Sequence, residues 1–295
     1  GLDVADLGRI HAAMDAALRG HAYAKSPLDI ACFDALGRLA GLSVTTFLGG
    51  MRSERFPLYM AVPLAPVEEM AEYVRERRAE GIRRFQLKVG ADPSEDAERV
   101  RAALAATAPG DLVIADANGA WRLQDAVVAA RLLEPLERVF LEQPCATLEE
   151  CLVVRERTTI PMVLDEAIQD VPSLLRAYEA RALEAFNLKI SKVGGLGPAR
   201  LLRDLGHELG LRVTIEDTWG GDLTTAAVAH LAASTSEDAL FTVSFMNDWT
   251  KEHVAGHRPR SQRGWGAAPR GSGLGVEVDV GKLGEPIFSV ESPAR

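Results

Sequence analysis

A chain of 295 residues with 47% apolar and 25% charged content falls in the globular range, which excludes a disordered tract or a fibre and leaves room for a barrel-sized domain plus a smaller piece. Lys and Arg number 33 against 42 Asp and Glu, a net charge of −9 that argues against nucleic acid as a partner. No apolar run approaches the roughly 20 residues of a bilayer crossing and no secretory leader opens the chain, so no membrane partner is expected and the cytoplasm is the expected compartment.

Residues 5–18 and 26–39 carry helical spacing, the second stretch opened by Ser26 with Pro27 at its first position. They form a helical piece over 1–52. From about residue 55, short β-rich apolar runs alternate with amphipathic stretches, the mark of repeated βα units and an α/β fold. Strands are expected at 57–62, 85–89, 112–116, 139–142, 162–165, 186–190, 212–216 and 241–245. The runs VIAD, VFLE, MVLD and FNLK are nearly continuous in apolar residues, as in parallel strands covered on both faces. Amphipathic crossover helices are expected between them, as at 94–106, 123–133, 148–157, 171–180 and 197–209. Eight such units about 25 residues apart fit a closed barrel over 53–250 better than an open sheet. The remainder, 251–295, reads as a return segment, with a loop over 258–275 and a short extended strand at 273–279.

A parallel barrel gathers the C-terminal ends of its strands at one mouth, and polar residues there read as catalytic. In order, these ends carry Lys88, Asp116, Glu142, Asp165, Lys189 and the pair Glu216-Asp217, each 23 to 28 residues from the last. That interval is one βα unit, so the side chains should converge. Three carboxylates at one mouth repel one another unless a cation sits between them, so Asp116, Glu142 and Asp165 imply a metal. All-oxygen ligation with open positions favours Mg²⁺, with Mn²⁺ as the other candidate. The histidines at 11, 21, 207, 230, 253 and 257 make no H-E-x-x-H motif, and a lone helical histidine such as His207 or His230 reads as structural. Cys32, Cys145 and Cys151 form no C-x-x-C pair and read as buried thiols.

Lys88 and Lys189 should flank the metal from opposite sides. An ammonium beside a divalent cation and a second ammonium loses affinity for its proton, so either lysine is expected to act as a base near neutral pH. The chemistry that suits this set is removal of the proton α to a carboxylate, with a metal stabilising the enediolate. Two opposed bases permit epimerisation; the same start followed by loss of a β-hydroxyl gives dehydration.

The segments 26–37 SPLDIACFDALG, 87–90 LKVG, 116–119 DANG, 142–144 EQP, 164–166 LDE and 188–195 LKISKVGG together resemble the mandelate racemase and muconate lactonizing enzyme group of the enolase superfamily, over nearly the whole chain. The resemblance implies a (β/α)7β TIM-type barrel with an α+β capping domain built from both chain ends. It also implies Asp116, Glu142 and Asp165 as Mg²⁺ ligands, Lys88 and Lys189 as bases, and a small-molecule carboxylate as substrate. A homo-oligomer is the expected assembly. Relative to that group the chain opens inside the cap helices, without the N-terminal strands of the cap or the loop that closes over the mouth.

Within the group, 20–26 GHAYAKS, 142–147 EQPCAT and 216–222 EDTWGGD are similar to segments of the proline-betaine and hydroxyproline-betaine 2-epimerases and of the cis-3-hydroxyproline dehydratases. By that likeness Asp217, Trp219 and Trp249 lie near the substrate nitrogen, where aromatic faces and a carboxylate suit an ammonium. Asn118 and Gln86 join them as substrate-binding residues. Gln86 replaces the first lysine of the group's Lys-x-Lys and is expected to donate to a substrate carboxylate without charge. The leading expectation is a proline-betaine or 4-hydroxyproline-betaine 2-epimerase. A cis-3-hydroxy-L-proline dehydratase, a cycloisomerase-like or dipeptide epimerase activity, and a catalytically silent barrel are the alternatives. A phosphate site at 192–197 KVGGLG, between a strand and a helix, is a further rival that lacks the G-x-G-x-x-G order.

Overall fold

The computed structural model describes residues 1–255 and 261–290. It opens with helices α1 (Leu7–Ala17) and α2 (Ala22–Ala40) and a single turn, α3 (Val44–Phe47). Helix α2 starts earlier than the sequence suggests. His21, at φ 53°, precedes it, so Pro27 lies inside the helix rather than opening it. A proline at that depth withholds one N–H, while the buried Ile30 and Phe33 hold the helix down by packing.

β1 (Phe56–Pro57) leads into the barrel. Its strands and crossovers alternate as β2 (Met60–Val62), α4 (Val67–Ala79), β3 (Arg84–Lys88), α5 (Pro93–Ala105), β4 (Leu112–Asp116), α6 (Leu123–Leu133), β5 (Val139–Glu142) and α7 (Leu148–Arg155). They continue as β6 (Met162–Leu164), α8 (Val171–Glu179), β7 (Ala185–Lys189), α9 (Ile190–Val193), α10 (Leu196–Glu208), β8 (Arg212–Glu216), α11 (Asp222–Ala233) and β9 (Leu240–Val243). The eight strands β2 to β9 pair in parallel and in chain order. Leu58 bridges Val243, and the Tyr59 N–H donates to the Val243 carbonyl (2.9 Å), closing the ring. The architecture is the expected (β/α)7β barrel. Among the described residues no helix is long and apolar enough to cross a membrane.

Three local expectations are corrected. The single strand at 57–62 is divided: Pro57, which has no N–H to give a ladder, pairs with Trp265 in a two-stranded sheet with β10 (Trp265–Gly266), and the barrel strand starts at Met60. The loop at 258–275 thus holds β10, and its residues 258–260 lie outside the described part. Residues 273–279 make isolated bridges, Gly273 with Ser43 and Val278 with Ala255, instead of a strand. Helix α11 shows no amphipathic stripe because ten of its twelve residues are buried.

Strand alternation positions the site. Ile114, Val163, Ala185 and Phe241, with Leu112 and Phe140, form a small apolar cluster apart from the main core of the molecule. Two residues further along three of these strands stand Asp116, Glu142 and Asp165, on the same face as Ile114, Phe140 and Val163. The acids therefore sit one layer above an apolar plug, at the C-terminal mouth.

The glycine stretch after β7 does meet an anion, and the anion is the chain's own. Asp29 of α2 accepts from the N–H groups of Leu196 (2.5 Å) and Gly197 (3.4 Å) at the start of α10. Gly195 has φ 120°, and a Cβ there would lie 2.3 Å from Asp29 Oδ1, so only glycine allows this approach.

Candidate active site

The register of the sheet sets the charged residues side by side. Lys88 pairs with Asp116, Asp116 with Glu142, and Lys189 with Glu216 as direct cross-strand neighbours. Asp165 follows β6 by one residue. Strands β3 and β7, which carry the two lysines, stand four places apart in the ring of eight and so face each other across it. A cavity of about 330 Å³ opens here, lined by Lys88, Asp116, Asp165, Lys189 and Glu216 among others. A second cavity of about 560 Å³ adjoins it beside α2, sharing Asp217, Thr218 and Trp219, but holds neither lysine.

Each acid is at most 1% exposed, and each has a different set of partners. Asp116 accepts from Lys88 Nζ (2.5 Å) and the Asn118 N–H (2.9 Å), yet burial outweighs Lys88 and leaves its pKa above the usual value. For Asp165 burial pushes upward too, but Lys192 (2.9 Å) and Lys189 (2.5 Å) prevail and the pKa falls. Glu142 meets only neutral amides: Gln86 Nε2 donates to both its oxygens (3.0 Å each) and Asn187 Nδ2 to Oε1 (2.6 Å). Burial, then the charges of Asp116, Asp165 and Glu216, raises the Glu142 pKa well above the carboxylate range. Burial likewise lifts Glu216 to about 7, although Lys189 and the Tyr59 hydroxyl, which donates to it, work the other way.

Carboxylates are the ion-pair partners of both lysines. Burial acts to lower both pKa values, but carboxylates surround each ammonium and the net shift is upward, through Asp116 chiefly for Lys88 and through Glu216 and Asp165 for Lys189.

The expected substrate-binding residues divide. Asp217 lines the cavity, takes hydrogen bonds from Ser191 and the Thr218 N–H, and keeps Oδ2 buried with no partner among the described residues. Trp219 and Trp249 line the same cavity, 61% and 41% exposed. Gln86 also reaches it, and its amide nitrogen donates to both oxygens of Glu142. Asn118 is exposed at the edge, accepting from Lys88 (3.0 Å) and donating to Glu166 (3.2 Å). Tyr59, Asn187 and Lys192 belong to the same network and are not among the residues expected from sequence. Asn187 was accessible to strand alternation, as the polar residue two before Lys189 in an apolar strand.

Among the described residues no three carboxylates, imidazoles or thiolates are arranged to hold a metal as they stand, since Asp116 and Asp165 turn to ammonium groups. Their chemistry nonetheless fits a hard cation. The donors are all oxygens from successive strand ends, and a buried Glu142 with no cationic partner among the described residues is left uncompensated when ionised.

Comparison with known proteins agrees with the fold. The enolase C-terminal domain-like family matches residues 69–282. A protein of Roseibium aggregatum named cis-3-hydroxy-L-proline dehydratase is 42% identical over 97% of this chain and 78% of its own length. A solved mandelate racemase/muconate lactonizing enzyme from Roseovarius nubinhibens ISM is 38% identical, with a TM-score of 0.92 over 98% of this chain and 80% of that one. An enolase superfamily member from the same organism, solved in complex with magnesium, is 34% identical, with a TM-score of 0.93 over 99% of this chain and 80% of that one. This chain belongs to the enolase C-terminal domain-like family, among the mandelate racemase and muconate lactonizing enzymes, and it is an enzyme.

Proposed function

We propose that the enzyme removes the proton α to the carboxylate of a small proline-type amino acid or betaine, with Lys88 and Lys189 as bases on the two faces and Asp116, Glu142 and Asp165 as ligands of Mg²⁺ or Mn²⁺. The observation that carries this reading is the sheet register, which lines up Lys88, Asp116 and Glu142 on adjacent strands and sets Lys189 across the ring from Lys88. A divalent cation held by the three acids would offset the field that raises the lysine pKa values and stabilise charge developing on the substrate carboxylate.

The chain's own residues supply the rest. Trp219 and Trp249 offer aromatic faces, and Asp217 a carboxylate, to the substrate nitrogen. One lysine accepts the α-proton. Return of a proton from the other face gives the epimer. Where the substrate carries a β-hydroxyl, the C–H electrons form a Cα–Cβ double bond as the C–O bond breaks. The hydroxyl leaves as water after taking a proton from the opposite ammonium, and the enamine tautomerises to a cyclic imine.

Opposed lysines favour epimerisation of a proline betaine or 4-hydroxyproline betaine. Likeness to the Roseibium dehydratase favours dehydration of cis-3-hydroxy-L-proline to the same degree. Incubation of the three compounds in deuterated water with Mg²⁺ separates these outcomes. Inversion with deuterium at Cα is expected for an epimerase and a cyclic imine for a dehydratase; no exchange with any of the three removes the proline assignment.

A further inference from the structure

Gln143 follows Glu142, is fully buried, and holds φ 34°, a left-handed conformation that a residue with a Cβ seldom adopts. Every polar group it has is used. Its Oε1 accepts from the N–H groups of Asp165 (2.9 Å) and Ala167 (3.2 Å), and its Nε2 donates to the Cys145 carbonyl (2.9 Å). On the main chain its N–H donates to Val163 (3.0 Å), and its carbonyl accepts from Gly119 (2.8 Å). One residue thus ties together the segments beyond β4, β5 and β6, which carry Asp116, Glu142 and Asp165 in turn. Nothing in the proton-transfer chemistry uses it.

We infer that Gln143 is a positioning residue whose side chain fixes Asp165 relative to Glu142 and thereby sets the affinity of the metal site, an inference that rests on the reading of the three acids as ligands. A glutamine suits the position because two N–H groups need one acceptor while a carbonyl on the other side needs a donor. A glutamate keeps an acceptor but loses the amide donor to Cys145. A methionine fills similar volume and makes neither bond.

The test is titration calorimetry of Mg²⁺ into the full chain and its variants, with thermal unfolding recorded on each sample. Q143M is expected to unfold cooperatively and bind Mg²⁺ 10- to 100-fold more weakly, the range for loss of a group that orients a ligand. Q143E, which keeps the acceptor, is expected to fall between Q143M and the parent, and it carries the comparison if Q143M does not fold. H230N, which removes a ring bonded to Thr45 and the Leu274 carbonyl rather than to any of the three acids, is the control and should keep the parent affinity. Folded Q143M or Q143E with affinity within twofold of the parent overturns the inference, and so does an equal loss in H230N. A parent chain that binds no Mg²⁺ instead overturns the ligand assignment on which it stands.

Discussion

Asp29 reaches from α2 to the N–H of Leu196 at 2.5 Å, capping a helix that begins 167 residues later in the chain. The cap meets the positive end of α10, whose own preceding residue, Gly195, has no side chain to serve. His11 holds the other carboxylate oxygen at 2.6 Å. D29A should therefore lower stability by about 1–2 kcal/mol, the usual range for a lost cap. Urea unfolding measures it, and an unchanged midpoint would show that α10 needs no such cap.

A second prediction concerns pH. His230 is fully buried on α11, and its Nε2 faces the Leu274 carbonyl at 3.0 Å. A carbonyl only accepts, so Nε2 carries the proton and Nδ1 accepts from the Thr45 hydroxyl at 2.7 Å. Burial is the main cause that pulls its pKa below 6.5. The unfolded chain then takes up more protons as pH falls, so the stability from the neutral ring is whole above 6.5 and is lost as pH drops through that value. The stability gap between the parent and H230N should therefore narrow from neutral pH towards the acid side. A gap independent of pH would contradict the assigned tautomer and its burial.

Much of this was legible in the sequence, for reasons that differ by residue. The βα period placed Lys88, Asp116, Glu142, Asp165 and Lys189 at one mouth because each strand end recurs after one helical crossover. Period alone did not show what each side chain would face. Gln86 reads as a donor to a substrate, and the structure adds that its amide donates to the buried Glu142. Lys192 lies outside the strands and Tyr59 in the part of the expected 57–62 strand that the barrel does not use, and α11 hides its helix by being buried on all sides. Pro27 misled for a related reason, since tertiary packing tolerates in α2 what local preference places at its start.

Glu142 provides a third prediction. Burial and the charges of Asp116, Asp165 and Glu216 make Glu142 costly to ionise, but E142Q turns one of its acceptor oxygens into a donor facing the Gln86 amide, so the metal-free chain should lose about 1–3 kcal/mol, the penalty of an unsatisfied buried polar group. The same change should abolish stabilisation by Mg²⁺, which in the parent should reach about 2.7 kcal/mol at a hundred times the dissociation constant. Thermal unfolding with Mg²⁺ and with a chelator reads both effects. An E142Q chain that still gains stability from Mg²⁺ would remove Glu142 from the ligand set.

The most direct measurement is the rate at which solvent deuterium enters Cα of the substrate, or at which the imine forms, for the parent, K88A and K189A with Mg²⁺. Each variant should lose about 10²- to 10⁴-fold in inversion or elimination, the usual contribution of a positioned base, and a chelator should silence the parent. Replacing either lysine alone should leave exchange from one enantiomer while stopping inversion. Both variants turning over at the parental rate would contradict proton transfer by Lys88 and Lys189.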